Sequence, residues 1–298
     1  MAVKTIVAIA ALAVLASGTA SAQDGLALMK VEAGARAFGM AGAFVSVTDD
    51  PNATFYNPAN AVGTERFTLS FGHNTHWDNV RLETGYFTSN LTEKSWLHGG
   101  IRYASIDDIE SRQTPSDEPD ALFSAYDVSF KGGLSYLISE KLSAGAAFGW
   151  YVEKIDIYRG SKFNVDLGLH YQYSPELAFG ASVTNLGGDM KISVSGQESG
   201  EPVSLPTTYR FGGSYRHELG LVAADAVILD DDFHLHVGLE PVLHENFTLR
   251  GGYMVNYDSK DFTAGASFHH REFTVDYAFV PYSDELGTSH LFNLTFTL

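Results

Sequence analysis

The chain contains no cysteine, so no disulfide framework can stabilise it. Basic residues are also scarce. There are 19 Lys and Arg against 36 Asp and Glu, which gives a formal net charge of −17 over 298 residues. This balance argues against nucleic acid as a partner, because binding to phosphates requires clustered cations. It also argues against a basic surface that binds anionic lipids.

Long apolar runs are missing as well. No stretch beyond the N-terminus reaches the roughly 18 apolar residues that a transmembrane helix needs. The N-terminus itself has Lys4, an apolar core over residues 5–15 and the small-x-small sequence Ala20-Ser21-Ala22. These are the features of a signal peptide. Residues 1–22 are therefore predicted to be removed on export.

Patterns for catalysis and metal binding are absent too. No serine lies in a G-x-S-x-G sequence, so a hydrolase of that kind is disfavoured. His234 and His236 share one strand face with Glu240 further along, but no third ligand has motif-like spacing. We therefore expect no enzymatic activity, no cofactor and no metal site. The sequence does not identify ligand-binding residues.

What the chain does contain is a regular series of strands. About fourteen strand-like stretches follow one another from Arg66 to Leu298, and many are about 9–12 residues long. That length crosses a bilayer when the strand is tilted, whereas strands of soluble sandwiches are typically about 5–6 residues. In the last stretch apolar and polar residues alternate, with Phe292, Leu294, Phe296 and Leu298 on one face and Asn293, Thr295 and Thr297 on the other.

The connections between these stretches alternate in kind. Every second one is short and carries one glutamate: Glu93, Glu140, Glu176, Glu218, Glu245 and Glu272. The other connections vary, and the two longest, 105–123 and 185–205, both belong to that set. Short turns at one rim and longer loops at the other are the plan of a bacterial outer-membrane barrel. The alternative is a soluble, exported β-protein, in which the apolar faces would point inward.

The segment before the strands has a different composition. Residues 23–62 are rich in Ala and Gly, have few charges and contain turn signals at Asp49-Asp50-Pro51-Asn52 and Asn57-Pro58. A mobile tail should be more polar. We therefore expect a hatch that is packed inside the barrel. Within it, Arg36 could pair with Asp49 or Asp50, since a charge in a plugged barrel needs a partner.

The predicted fold is thus an all-β, transmembrane antiparallel β-barrel of about 14 strands with a small N-terminal hatch. Its predicted parts are a signal peptide (1–22), the hatch (23–62) and the barrel (63–298). The predicted location is the outer membrane of a Gram-negative-type bacterium, with membrane lipid and the barrel-assembly machinery as partners. The six glutamate turns are then at the periplasmic rim.

Both ends of the mature chain resemble a known group, the FadL-type outer-membrane proteins and more closely their PorV/PorQ-type relatives. At the N-terminal end the matching residues are Gly34, Arg36, Gly39, Met40, Gly42, Ala43, Asp49, Asp50, Asn57, Pro58 and Ala59. At the C-terminal end they are Asp276, Tyr277, Ala278, Leu286, Gly287 and His290. An arginine often follows this histidine in the family, whereas this chain has Leu291.

The resemblance implies a fourteen-stranded barrel with an N-terminal hatch. It implies two functions. PorV-type proteins act in type IX secretion, so the first hypothesis is a role in protein secretion or assembly at the cell surface, with secretion-system proteins or cargo as partners. FadL takes up long-chain fatty acids, so the alternative is a channel for hydrophobic compounds.

Overall fold

The computed structural model describes residues 26–64, 67–75, 80–198, 201–283 and 287–298. The predicted signal peptide lies outside these ranges, as do Arg66 and Leu286. No helix among the described residues is long and apolar enough to cross a membrane.

Fourteen long antiparallel strands form the wall in the described part of the chain. They are β1 (Phe67–Thr75), β2 (Arg81–Thr92), β3 (Ser95–Ser111), β4 (Ala121–Ser139), β5 (Leu142–Ile155), β6 (Tyr158–Gln172), β7 (Leu177–Leu186), β8 (Thr208–His217), β9 (Gly220–Leu229), β10 (Asp232–His244), β11 (Phe247–Val255), β12 (Phe262–His270), β13 (Phe273–Pro281) and β14 (Thr288–Thr297). Each strand pairs with its neighbours, and β14 pairs with β1. The sheet is therefore closed, which confirms the predicted barrel.

The turns at one rim are short and each contains a predicted glutamate. Five of them have two residues, and the sixth comprises residues 173–176. At the other rim the connections run from two residues (156–157) to the long segment 187–207, which contains four short strands: Asp189–Met190, Ile192–Val194, Gln197–Glu198 and Val203–Ser204. The strand order gives both ends of the barrel sequence to the glutamate rim, as predicted.

One predicted loop is much shorter than expected. The sequence predicts a connection over 105–123, but β3 continues to Ser111 and β4 begins at Ala121. The ladder resumes after a bulge, with Ile109 opposite Phe123. Large apolar residues on both arms favour a paired hairpin over a solvated loop. The acidic sequence there is therefore part of a hairpin that extends beyond the other strands.

The outer face of the wall is apolar. On β14, Phe292 is 51% exposed while its neighbour Asn293 is 4% exposed. The same alternation leaves large side chains on the outside of most strands, among them Phe71, Tyr103, Phe130, Tyr136, Phe148, Trp150, Phe163, Phe211, Tyr253 and Phe268. Such an apolar surface is unfavourable in water, whereas the hydrocarbon core of a bilayer accommodates it. The exterior is that of a transmembrane barrel.

The inside of the barrel contains the segment 26–64. It has three short helices, α1 (Ala27–Lys30), α2 (Ala35–Gly39) and α3 (Ala53–Tyr56), followed by a 3-10 helix (Pro58–Gly63). Helix α2 contacts β12 and β13, and the 3-10 helix contacts β4, β5 and β6. The segment has its own core, in which the rings of Phe44 and Tyr56 meet edge to face at 5.6 Å. The predicted domain limits at 22/23 and 62/63 stay predictions.

Candidate functional site

The hatch lies directly against glycines of the inner wall. Six inward positions leave room for hatch backbone or side-chain atoms only because they have no Cβ: Gly145, Gly168, Gly180, Gly238, Gly252 and Gly265. At Gly238, for example, a Cβ would lie 2.6 Å from the carbonyl oxygen of Met40. Glycines in strand interiors often mark such a close approach of another backbone. These glycines are visible in the sequence, but the glycine content alone does not show which of them lie against the hatch.

The predicted Asn57-Pro58-Ala59 element anchors the end of the hatch. Asn57 is fully buried, and its Nδ2 donates to the carbonyl oxygens of Val45 and Leu169, both at 2.9 Å. Its Oδ1 accepts from Ala59 N at 3.0 Å and caps the 3-10 helix. These hydrogen bonds give the side-chain amide of Asn57 a structural role, because they attach the end of the hatch to β6.

The predicted pairing of Arg36 is with Asp49, not Asp50. Arg36 Nη1 lies 2.8 Å from Asp49 Oδ1, and Arg36 Nε donates to Glu240 of β10 at 2.8 Å. Partial desolvation of the Asp49 carboxylate, whose side chain is 43% exposed, would alone raise its pKa, but Arg36 and Arg216 hold this pKa well below its usual range. Sequence reasoning missed Glu240 as a partner because the two residues are 204 positions apart.

Asp50 has a different environment. Its Oδ1 accepts from Asn52 N and from Asn52 Nδ2, both at 2.8 Å. No salt bridge to it is found among the described residues. Burial raises the pKa of Asp50 to about 6. Asp50 therefore shapes the turn that precedes α3 and is not part of the Arg36 ion pair.

The remaining hatch motif residues serve close packing. Gly34 and Gly42 have φ angles of 81° and 72°, a region that favours glycine. A Cβ at Gly39 would lie 3.3 Å from Gly265 Cα, so this glycine lets α2 approach the wall. Met40 is fully buried against Gly238. These contacts are structural, and none of them identifies a ligand.

The two predicted motifs meet through an ion network. Arg250 on β11 donates to Glu240 at 2.6 Å and to Asp276 of the C-terminal motif at 3.0 Å. Since Glu240 also binds Arg36, one chain of charges joins the hatch to strands β10, β11 and β13. Asp276 also accepts from Ser267. This network is one polar link between the hatch and the wall.

The other residues of the C-terminal motif lie in the β13–β14 ladder and in the connection between these two strands. Tyr277 Oη lies 2.8 Å from His290 Nδ1, across the β13–β14 ladder. Gly287 has a φ of 85° in the connection between these strands. Leu291, where the family often has arginine, is buried and packs with Phe38 of the hatch. Leu286 lies outside the described residues.

A second polar contact holds the hatch near the loop rim. Lys260 Nζ lies 3.0 Å from Glu32 Oε2. Burial opposes ionisation of Glu32, but Lys260 and His236 lower its pKa to about 2. His234 and His236 contact Tyr257, with His236 Nε2 at 3.0 Å from Tyr257 Oη. Within the described ranges, no group of three or more His, Asp or Glu residues could hold a metal ion.

An apolar cluster occupies the lumen between these contacts and the long loop. Its members come from the first turn of the hatch, the inner wall and the loop segment 187–207: Leu26, Leu28, Met29, Leu82, Tyr151, Met190 and Leu205. All are at most 5% exposed. Elsewhere the inner wall is mainly polar, with buried Ser70, Asn74, Thr88, His98, Ser135, Asn164, Thr184 and Ser214. We call this group the loop-side cluster.

A small cavity of about 10 Å³ lies beside the loop-side cluster, between the hatch and β2–β4. Its lining consists of Met29, Phe55, Tyr86, Gly100, Arg102, Ser129, Lys131 and Asn185. Three of these are large apolar or aromatic residues, and two are cations. The cavity is therefore amphipathic and adjoins the loop-side cluster through Met29.

Comparison with solved structures identifies the type of barrel. The toluene transporter TodX of Pseudomonas putida has a TM-score of 0.64 at 15% sequence identity, over 89% of this chain and 96% of that chain. The chain has a FadL-type barrel fold. The toluene transporter TbuX of Ralstonia pickettii gives 0.63 at 14% identity, covering 88% and 96%. A FadL homologue of Pseudomonas aeruginosa gives 0.59 at 11% identity, covering 88% and 98%.

No protein-family model and no curated protein matches the chain. The FadL-type fold and the apolar exterior together place the protein in the outer membrane. This confirms the predicted location. The glutamate turns at the periplasmic rim and the segment 187–207 on the outside stay predictions, which follow from the usual plan of short periplasmic turns and longer extracellular loops.

Proposed function

We propose that this protein is an outer-membrane channel for small hydrophobic compounds. The observation that carries the proposal is the loop-side cluster, where apolar surfaces of the hatch, the inner wall and the segment 187–207 pack together. A water-filled pore for polar solutes has no need for such a surface. A hydrophobic compound does, because it gains free energy when apolar groups leave water.

The position of the cluster supports uptake from outside. Met190 and Leu205 belong to the extracellular segment 187–207, whereas Leu28 and Met29 belong to the first turn of the hatch. A compound that enters below the long loop would therefore meet apolar side chains of the hatch itself. Movement of this first turn would open the path to the cavity beside β2–β4. Catalysis has no part in this function.

The role in secretion remains the second hypothesis. It rests on the resemblance of residues 34–59 and 276–290 to PorV/PorQ-type proteins. The solved barrels with this fold include two toluene transporters, which favours uptake as the first function to test. Under the secretion hypothesis, the partners would be secretion-system proteins or cargo, and loss of the protein would leave surface proteins in the periplasm.

Uptake by whole cells tests the proposal. Cells of the source bacterium with and without the protein are given labelled toluene, labelled long-chain fatty acid and a labelled hydrophilic sugar. Loss of the protein should slow the uptake of a hydrophobic compound and leave that of the sugar unchanged. Unchanged uptake of both hydrophobic compounds, together with surface proteins retained in the periplasm, would support secretion instead.

A further inference from the structure

Two cations lie side by side on the outer face of the wall, near the loop rim. Lys154 of β5 is directly opposite Arg159 of β6. Both positions continue the outward side of their strands, which carries Trp150 on β5 and Phe163 on β6. Like charges directly opposite each other on one face destabilise a sheet. An anion bound between the two side chains would remove this repulsion.

Neither cation has a carboxylate partner in the part of the chain that the structure describes. No salt bridge joins Lys154 or Arg159 to an acidic side chain there. Asp156, in the turn between the two strands, pairs with neither of them. Glu198, which continues this row on the segment 187–207, is already paired with a lysine at 2.8 Å. The net charge of −17 disfavours a broad basic surface, but this local pair remains uncompensated.

The pair lies at the level where the apolar band of the wall ends. Lys154 is directly opposite Tyr126 of β4, and its Nζ lies 5.7 Å from the centroid of that ring. Tyr136 is on the same side of β4, near the other rim, and is 53% exposed. Ten residues at about 3.3 Å each, on a strand tilted by about 40°, span about 25 Å, which is the height of the apolar band of an outer-membrane barrel. The cations beside Tyr126 are therefore at the level of the lipid headgroups.

The surroundings of the pair favour a lipid over a free ion. Towards the middle of the wall, the ring of Phe130 stacks on Trp150 and that of Phe148 on Phe163, with centroids 6.2 and 5.2 Å apart. On the other side of the pair, the turn 156–157 has two residues, of which Ile157 is 59% exposed. An apolar side chain in so short a turn gains free energy when lipid covers it. A partner that matches these surroundings has an anionic headgroup and acyl chains.

We propose that Lys154 and Arg159 bind a phosphate group on the headgroup of a lipid in the loop-side leaflet. A phosphate monoester carries about −1.5 to −2 charges at neutral pH, which matches two cations. The arginine offers a fork of donors that fits phosphate oxygens, and the lysine adds a compact charge. The usual barrel plan places this rim outside the cell, so we expect a phosphorylated glycolipid of the outer leaflet. The site faces the membrane and not the lumen, so it is independent of the channel function and of the secretion hypothesis.

Binding to the purified protein in detergent tests the proposal. The probes are lipid A with its phosphates and the same lipid after enzymatic dephosphorylation, and native mass spectrometry counts the molecules bound in a titration. The wild type should bind the phosphorylated lipid at least tenfold more tightly than the dephosphorylated one. Lys154→Gln combined with Arg159→Gln should remove this preference. Arg159→Lys should keep part of it, because the charge remains.

A matched control is Arg81→Gln. Arg81 lies in the same outward row on β2, three strands from Lys154, and it is opposite Thr75 and Ser105 instead of another cation. This variant should bind the phosphorylated lipid within twofold of the wild type. Arg159→Gln, which removes the same charge, should bind it at least fivefold more weakly.

Three results would overturn the proposal. One is equal binding of the two lipids by the wild type, which decides the matter even if the double variant fails to fold. Another is a folded double variant that keeps the preference, or an equal loss in Arg81→Gln, which would indicate attraction by overall charge. The third is displacement of the lipid by an equal concentration of inorganic phosphate, which would indicate a site for the free ion. The proposal predicts no displacement even at a tenfold excess of phosphate.

Discussion

Asn57 of the hatch occupies the space that a side chain at Gly168 of β6 would need. The same amide donates to the carbonyl oxygens of Val45 and Leu169, both at 2.9 Å. Asn57 thus fills the space left by the missing Cβ of Gly168, and its hydrogen bonds hold it there. The hatch can be held this closely only where the wall has glycine.

A valine at position 168 should therefore dislodge the end of the hatch. Gly168→Val places branched carbons where Asn57 Oδ1 lies, and overpacking of this kind costs about 1–3 kcal/mol. We expect a lower unfolding midpoint in denaturant and cells that are more sensitive to a large hydrophilic antibiotic. The control is Gly132→Val on β4, where a Cβ would meet no atom within 4 Å. Equal effects of both substitutions would contradict the contact.

Removing the charge of Glu240 should destabilise the hatch strongly. Glu240→Gln leaves Arg36 and Arg250 without the carboxylate that lies between them, at 2.8 Å and 2.6 Å. Loss of one partner from a buried network costs about 3–5 kcal/mol. Equilibrium unfolding in detergent, followed by tryptophan fluorescence, would measure this change.

The comparison for Glu240 is an exposed ion pair of the same type. Lys191 and Glu198 lie 2.8 Å apart in the extracellular segment, and both side chains are more than 60% exposed. Such a pair contributes about 0–1 kcal/mol, so Glu198→Gln should change the unfolding free energy little. A change at Glu240 that is no larger than the one at Glu198 would show that the network does not hold the hatch.

The contact between Glu32 and Lys260 predicts a loss of stability in acid. The pKa of Glu32 is lowered from 4.5 to about 2 in the folded protein, so the folded state favours the charged form. The stabilisation is complete above pH 4.5 and is lost as the pH falls towards 2, because the unfolded chain takes up the proton first. Unfolding free energies of the wild type and Glu32→Gln should therefore converge over this interval. Curves that stay parallel would contradict the assignment.

The apolar outer face of the wall predicts that a charged side chain placed on it lowers the stability of the barrel in a bilayer. Phe292 lies near the middle of β14, on the exposed side of the strand. Phe292→Lys should cost about 2–4 kcal/mol near the centre of the membrane. Refolding into lipid vesicles and unfolding in guanidinium would measure this cost. A lysine at the exposed turn residue Leu219 is the control and should cost much less.

The features that could be predicted from sequence are those that repeat locally. Alternating residues such as Phe292 and Asn293 indicate a strand with two different faces, and turns around Glu140 or Glu245 separate one strand from the next. These signals need no information about distant parts of the chain. They were sufficient for the closed fourteen-stranded wall and its two rims.

The hatch contacts depend on closure of the barrel and could not be read in this way. Arg36 binds Glu240, and Ala35 N donates to Asn293 at 2.8 Å across 258 positions. No local sequence pattern predicts contacts between residues that are so far apart in the chain. The extended hairpin of β3 and β4 was missed for another reason, because its acidic and proline-containing sequence is typical of loops. The pairing of Ile109 with Phe123 outweighed that composition.

The cavity residues also escaped prediction, although each was visible in the sequence. Arg102 and Ser129 are opposite each other only because β3 and β4 pair in one register. A slip of one strand by one residue would turn its own side chain, Arg102 or Ser129, to the lipid. The signal that could have found them is a basic residue on the inward side of a strand, at a distance from any acidic residue on the neighbouring strands.

The most direct test of the account is the initial rate of labelled toluene uptake by cells that carry the wild type, Leu28→Asp or Leu219→Asp. Leu28 is in the loop-side cluster and 3% exposed, whereas Leu219 is in a periplasmic turn and 74% exposed. Comparable levels of folded barrel are confirmed by gel mobility before and after boiling. The account predicts wild-type uptake for Leu219→Asp and the rate of cells without the protein for Leu28→Asp. Equal uptake by all three, or a wild type no faster than cells without the protein, would contradict it.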